Sequence, residues 1–205
     1  MDTYSLKTGE KLVKFSRDVI ESWFEGKSVN GLELLDCEER NKLLKRRGVF
    51  VTLKRYPSKS FRGGFGYISP MIPLYEAVRE VTIIAAFYNP NYLPLSKSEL
   101  KTITVELSII LNVKKLEVER PEEYLEKIKI GKYGIIVEKD VKRAILLPQI
   151  AIDKRWNVKQ FLSNACIKAG LSYDAYMNPE TTIRICEVQV FEESEPGGGV
   201  IERKF

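Results

Sequence analysis

Near the start of the chain Leu12, Phe15, Val19 and Trp23 recur every three or four positions, with Ile20 and Phe24 widening the stripe. That is the period of an amphipathic helix, and it predicts one over residues 10–25, with Gly26 placed to end it. A shorter helix is expected over 37–46, stopping at Gly48. Residues 48–53 then read as a strand, being rich in β-branched and aromatic side chains. Residues 61–68 read as a second strand interrupted by glycines. Pro73 opens a helix over 74–88 that Asn89-Pro90 closes. In 100–111 Ile103, Val105, Leu107 and Ile109 alternate with polar neighbours, the signature of a long strand. A short helix follows at 121–127, and a hairpin joins 134–138 to 143–147 around Lys139-Asp140. A helix over 158–169 ends at Gly170, and 182–191 is a last alternating strand. Pro196-Gly197-Gly198-Gly199 leads into what reads as a flexible C-terminal tail, residues 194–205.

Helices and strands interleave, yet hairpin-like pairs recur. The expected class is therefore α+β with a largely antiparallel or mixed sheet flanked by helices. No linker divides the chain, so residues 1–205 read as one domain. The order strand–strand–helix–strand occurs around 48–111 and again around 134–191, which is consistent with two lobes sharing a core, with a groove between them.

Composition narrows the chemistry. Of 205 residues, 44% are hydrophobic, enough for a real core, and 33 basic face 28 acidic side chains for a net charge of +5. The basic runs (Lys45-Arg46-Arg47, Lys54-Arg55, Lys114-Lys115, Lys154-Arg155) are short and scattered, so the mild basic excess reads as solvated faces and not as a nucleic-acid surface. Only three glutamines occur among abundant Lys, Glu and Ile, a bias resembling that of heat-adapted proteins. The three cysteines (Cys37, Cys166, Cys186) form no CxxC, which excludes a zinc ribbon or a thioredoxin-like pair. There is no histidine, so Ser-His-Asp and Cys-His nucleophile pairs and His-ligated metals are ruled out. Any catalysis falls to carboxylates, Lys, Tyr, Cys or a bound cofactor, and the sequence itself implies no particular cofactor and no metal. The polar start Met1-Asp2-Thr3-Tyr4 resembles no secretory signal, and the apolar runs at 81–88 and 144–152 are too short to span a bilayer. The expected location is the cytoplasm, with no membrane partner.

Several segments together resemble one family. They include Gly48–Lys54, Phe61–Pro70, Pro73–Val78, Ala85–Phe87, Pro94-Leu95-Ser96 with Glu99-Leu100, and Val105–Ser108. Further on come Ile130-Gly131 with Gly134–Val137, Leu146–Ala151, Trp156, and Phe161–Leu171 with Cys166. In this ordered set, spanning roughly residues 11–196, the chain resembles the AMMECR domain family. The resemblance implies an α+β fold of two unequal lobes around a partly barrel-like sheet. It implies no particular activity. Association of family members with Memo-like and radical-SAM proteins implies a shared pathway. The family's signature hexapeptide is Leu-Arg-Gly-Cys-Ile-Gly, whereas this chain has Phe61-Arg62-Gly63-Gly64-Phe65-Gly66, with Gly64 at the cysteine position.

That hexapeptide is the first candidate site. Gly63, Gly64 and Gly66 free the backbone for positive φ, and a nest of amides beside Arg62 would suit an anionic small molecule or peptide. The competing reading is a β-bulge needing glycine for steric reasons, with Arg62 in an ion pair. Tyr67, and Tyr133 beside the second glycine motif, either stack on a ligand or pack half-buried. Gln149 presents an amide to the ligand or caps a turn. Cys166 joins the set by the family alignment, although mid-helix it reads as a small buried hydrophobe. Glu106 is either an acid–base group raised by burial or a cross-strand partner for lysine. Two functions follow: a ligand- or partner-binding module with an anion-favouring groove around Arg62–Tyr67, or an enzyme or accessory subunit acting with the Memo-like and radical-SAM proteins.

Overall fold

The computed structural model describes residues 3–36 and 38–205, and Met1, Asp2 and Cys37 lie outside the described residues. The chain divides into two compact units of unequal size. The first holds residues up to Ile109 together with Gln189–Lys204, and the second holds Ile110–Val188 with Phe205. The fold class is α+β, as expected.

In the first unit α1 spans Leu6–Phe24, four residues earlier at its start than the apolar period suggests. The reason is Ser5, whose hydroxyl accepts from the Thr8 amide at 3.2 Å and caps the helix. Its buried face carries Leu12, Val13, Phe15, Val19 and Ile20. Gly26, at φ +68°, supplies the left-handed residue that ends it. A 3₁₀ turn at Leu32–Leu35 and the short α2 (Arg40–Leu43) follow, so the helix expected over 37–46 is reduced to one turn. Strands β1 (Val49–Arg55) and β2 (Phe61–Tyr67) form an antiparallel hairpin. α3 (Leu74–Ile83) continues as one π-helical turn, Ile84–Tyr88, and a 3₁₀ turn at Lys97–Lys101 leads into β3 (Ile103–Lys115).

Beyond Ile109 the chain forms a 3₁₀ turn at Pro121–Glu123, α4 (Tyr124–Lys127), and the hairpin β4 (Gly134–Lys139) and β5 (Lys142–Leu146). Asp140 sits in that turn at φ +53°, a conformation aspartate tolerates better than most. Two helices follow, α5 (Pro148–Asp153) and α6 (Val158–Lys168), the latter opened by Asn157, whose side chain accepts from the Gln160 amide at 2.9 Å. β6 (Thr182–Glu193) returns the chain to the first unit, where β7 (Val200–Arg203) pairs with it antiparallel. This corrects the expected flexible tail. Pro196–Gly199 is the bend of a hairpin, and the residues after it are a strand.

The doubled pattern is present in each unit taken by itself. In the first, the hairpin β1–β2 is followed by a helix and then β3, which pairs antiparallel with β1. In the second, the hairpin β4–β5 is followed by helices and then β6, which pairs antiparallel with β4. The second unit's core gathers Ile135, Val137, Leu146, Phe161, Leu162, Cys166 and Ile185. In the first unit Ile103, Val105, Leu107 and Ile109 are all fully buried along one face of β3. Each such side chain contributes roughly 1.5–3 kcal/mol of burial.

Candidate functional site

β2 is an edge strand, and among the described residues its ladder neighbour is β1. Leu53 faces Gly63, but Lys54 faces Phe61, so Arg62 is the extra residue of a bulge. The Arg62 side chain is buried. Its Nε donates to Glu99 Oε1 at 2.6 Å and one terminal nitrogen to Oε2 at 3.1 Å, a two-pronged pair. The remaining donors reach the carbonyls of Leu93 at 3.2 Å and Pro94 at 3.4 Å. The bond from Arg62 does most to hold the Glu99 carboxyl down at about 2; burial opposes it, and the Ser96 amide and hydroxyl add to it. The guanidinium is thus committed inside the protein.

The glycines serve packing. A Cβ on Gly63 would stand 3.0 Å from the Ala85 carbonyl of the π-helical turn. On Gly64 it would stand 3.0 Å from the Val51 carbonyl and 3.2 Å from the Phe61 ring, and on Gly66 it would enter the Phe50 ring and lie 2.5 Å from the Val49 carbonyl. None of the three has positive φ; the glycines that do are Gly26, Gly31, Gly131, Gly170 and Gly197. An amide nest needs alternating right- and left-handed residues, and an extended strand in a ladder has none. The Gly64 carbonyl accepts from the Asn89 side chain at 2.7 Å. The expectation of an anion-favouring nest beside a free Arg62 is therefore corrected: the bulge with its structural ion pair is what forms. Where the family motif has cysteine, the Phe61 ring lies over Gly64.

This framework fixes a loop. Arg62 holds the carbonyls of Leu93 and Pro94, Asn89 is tied to Gly64, and the Leu95 amide donates to the Ala86 carbonyl at 2.7 Å. On that anchored backbone the side chains point outward: Leu93 is 83% exposed, Tyr88 62% and Tyr92 45%. Phe61, 49% exposed, meets Tyr92 edge-on with ring centroids 5.3 Å apart. Trp23 stacks on Phe87 at 4.7 Å and meets Tyr88 edge-on at 5.6 Å. Large apolar side chains clustered on the surface are typical of contact sites. Sequence reading placed Trp23 in the buried stripe of α1 and missed this surface. The signal available was the run of aromatic and apolar residues inside a proline-bounded loop, Tyr88–Leu95.

At its other end β2 delivers Tyr67, which meets the Phe65 ring edge-on at 5.5 Å. Burial, then the charge of Glu80 and a hydrogen bond to it, raise the Tyr67 hydroxyl's pKa, so it stays protonated at neutral pH.

The other candidates resolve individually. Glu106 is both buried, at 2% exposure, and paired: Lys54 Nζ lies 2.5 Å from Oε2 and an Arg203 nitrogen 3.4 Å from it. Lys54 also lies 3.6 Å from Glu192, so these buried charges answer one another. A second such pair, Arg17 with Glu193, has its closest contact at 2.5 Å, and the same arginine donates to the Ile103 carbonyl at 2.8 Å. Gln149 and Cys166 belong to the second unit, whereas Arg62, Gly63, Gly64, Gly66 and Tyr67 belong to the first. Gln149 lies buried in the first turn of α5, not at a strand end or in a turn. Cys166 is packed in the second unit's core, and its thiol is raised chiefly by burial. Burial pushes Cys186 up to about 12. Tyr133 is flanked by the ammonium groups of Lys132 at 5.1 Å and Lys114 at 6.0 Å from the ring centre. Among the described residues no group of three or more acidic or cysteine side chains could hold a metal ion, and no helix is long and apolar enough to cross a membrane.

Comparison with known proteins agrees with the motifs. The AMMECR1 family model matches residues 13–191. Protein MK0488 of Methanopyrus kandleri is 42% identical over 200 residues, covering 97% of this chain and 95% of its own. Protein MJ0810 of Methanocaldococcus jannaschii is 39% identical over 206 residues, covering both chains completely. The relatives are of thermophile origin, in keeping with the composition. The crystal structure of the uncharacterized protein PH0010 from Pyrococcus horikoshii superposes with a TM-score of 0.90 at 33% identity, over 97% of this chain and 98% of that one.

Proposed function

The chain belongs to the AMMECR1 family, and on that premise we propose that it is a partner-binding module whose contact surface is the anchored aromatic loop around Tyr88, Tyr92 and Leu93, flanked by Phe61. One observation carries this reading: large apolar side chains, led by Leu93 at 83% exposure, stand on a backbone fixed by Arg62, Asn89 and Leu95. Rigid aromatic anchors lose little entropy on binding and often dominate interface energy. The partner fitting this surface is a protein or peptide with an apolar face. Memo-like and radical-SAM proteins are the first to try, given the pathway that the family resemblance implies. An anionic small molecule is not favoured, because Arg62 is already paired with Glu99.

The test is binding of purified Memo-like and radical-SAM proteins to the wild type and to a Tyr92→Ala/Leu93→Ala variant, followed by surface plasmon resonance. Loss of about 2 kcal/mol or more, roughly thirtyfold in Kd, is expected for hot-spot residues. Equal affinity for the two chains refutes the surface, and failure of every such protein to bind the wild type refutes the partner assignment.

A further inference from the structure

The aromatic loop stands in a charge pattern of one sign. Two stretches build the surface, residues 55–67 and 88–102, and together they hold five basic residues and one acidic residue. The acid, Glu99, is paired with Arg62, and Lys59 reaches Glu192 at 3.4 Å. The remaining three, Arg55, Lys97 and Lys101, are exposed, and among the described residues none of them forms an ion pair. All three border the apolar side chains. A terminal nitrogen of Arg55 donates to the Phe61 carbonyl at 3.3 Å. Lys101 directly precedes Thr102, whose carbonyl accepts from the Tyr56 amide at 2.7 Å, so the backbone of Lys101 runs beside Arg55 and the exposed Tyr56. Lys97 opens the 3₁₀ turn two residues after Leu95, whose amide ties the loop to Ala86. Its charge is also felt at Glu25, but that carboxylate already pairs with Lys27 at 2.8 Å.

Resting on the contact surface proposed above, we infer that its occupant is an acidic segment of a partner protein. In that segment a leucine or aromatic side chain seats against Tyr92 and Leu93, and flanking carboxylates meet Arg55, Lys97 and Lys101. The apolar anchor supplies most of the affinity, while the carboxylates speed encounter and select against basic partners. Single-stranded nucleic acid also favours cations and rings, but it needs open ring faces on which bases stack. Here Phe61 and Tyr92 meet edge-on, Trp23 is stacked on Phe87, and the most exposed side chain of the surface, Leu93, is aliphatic. The geometry therefore favours the peptide.

The test is selection from a displayed library of random short peptides, run in parallel on the wild type, on an Arg55→Gln/Lys97→Gln/Lys101→Gln variant and on the Tyr92→Ala/Leu93→Ala variant. Wild-type binders should carry Asp and Glu on both sides of a Leu, Phe or Trp. Such a peptide, synthesised, should bind the triple-Gln variant at least about fivefold more weakly at low salt, with the gap closing as salt is added. The same peptide with Asn and Gln in place of its carboxylates should lose as much on the wild type, a readout that needs no variant to fold. A neutral or basic consensus, equal affinity for the triple-Gln variant and the wild type, or displacement of the peptide by oligothymidylate overturns the acidic segment, while the surface stands as long as binding still needs Tyr92 and Leu93. Enrichment of the same peptides by the Tyr92→Ala/Leu93→Ala variant refutes the surface itself. No enrichment by the wild type overturns the peptide occupant and leaves the surface to the resonance measurement above.

Discussion

Replacing Arg62 with methionine keeps the stem that fills the bulge and removes the guanidinium. Four contacts disappear: both prongs to Glu99 and the bonds to the carbonyls of Leu93 and Pro94. The carboxyl's fall from 4.5 to about 2, at 1.36 kcal/mol per pKa unit, corresponds to about 3 kcal/mol. Glu99 is 27% exposed, so water screens part of this, and a loss of about 2 kcal/mol is the working figure. For a chain of this size that lowers Tm by about 4–8 °C. The pH dependence gives a second readout. A carboxyl depressed in the folded state adds stability above its unfolded value and loses it as pH falls toward the folded value. The wild type should therefore lose this increment between about pH 4.5 and 2. Urea unfolding at pH 7, 4 and 2.5 should show the two proteins furthest apart at neutral pH and converging in acid. A variant within about 0.5 kcal/mol of wild type at pH 7, or with an unchanged acid slope, refutes the structural role given to Arg62.

Two further outcomes follow from packing. Gly66→Ala drives a methyl into the Phe50 ring and the Val49 carbonyl and should cost more than about 2 kcal/mol, whereas Gly64→Ala, tight at 3.0 Å, should cost about 1 kcal/mol; equal effects in thermal melts would contradict the contact geometry. With Cys37 changed to serine, neither Cys166 nor Cys186 should react with a thiol reagent at neutral pH until the chain unfolds, because burial raises both thiols; rapid labelling of the native protein would contradict their placement.

Much of the architecture was legible in the chain itself. The apolar period of α1, the alternation in β3 and the doubled strand–strand–helix–strand order are local patterns, and local patterns report which face each element buries. Absence of histidine and the cysteine spacing likewise restrict the chemistry on sequence grounds alone. The helix at Pro148–Asp153 escaped because its six residues carry too little period, and β7 escaped because a glycine run reads as a tail until β6 pairs with it.

The candidate site lay beyond sequence for a different reason. Composition shows that Arg62 is a cation beside glycines, but its partner Glu99 is 37 residues away, and only folding decides whether a guanidinium meets a carboxylate or a ligand. The same holds for Glu106, which Lys54 reaches from a neighbouring strand, and for the loop at Tyr88–Leu95, whose outward residues look like core until the backbone beneath them is tied down. Sequence determines which residues prefer burial and which carry charge. Tertiary structure determines which charges cancel, and the pairing of Arg62 with Glu99 and of Lys54 with Glu106 is decided there alone.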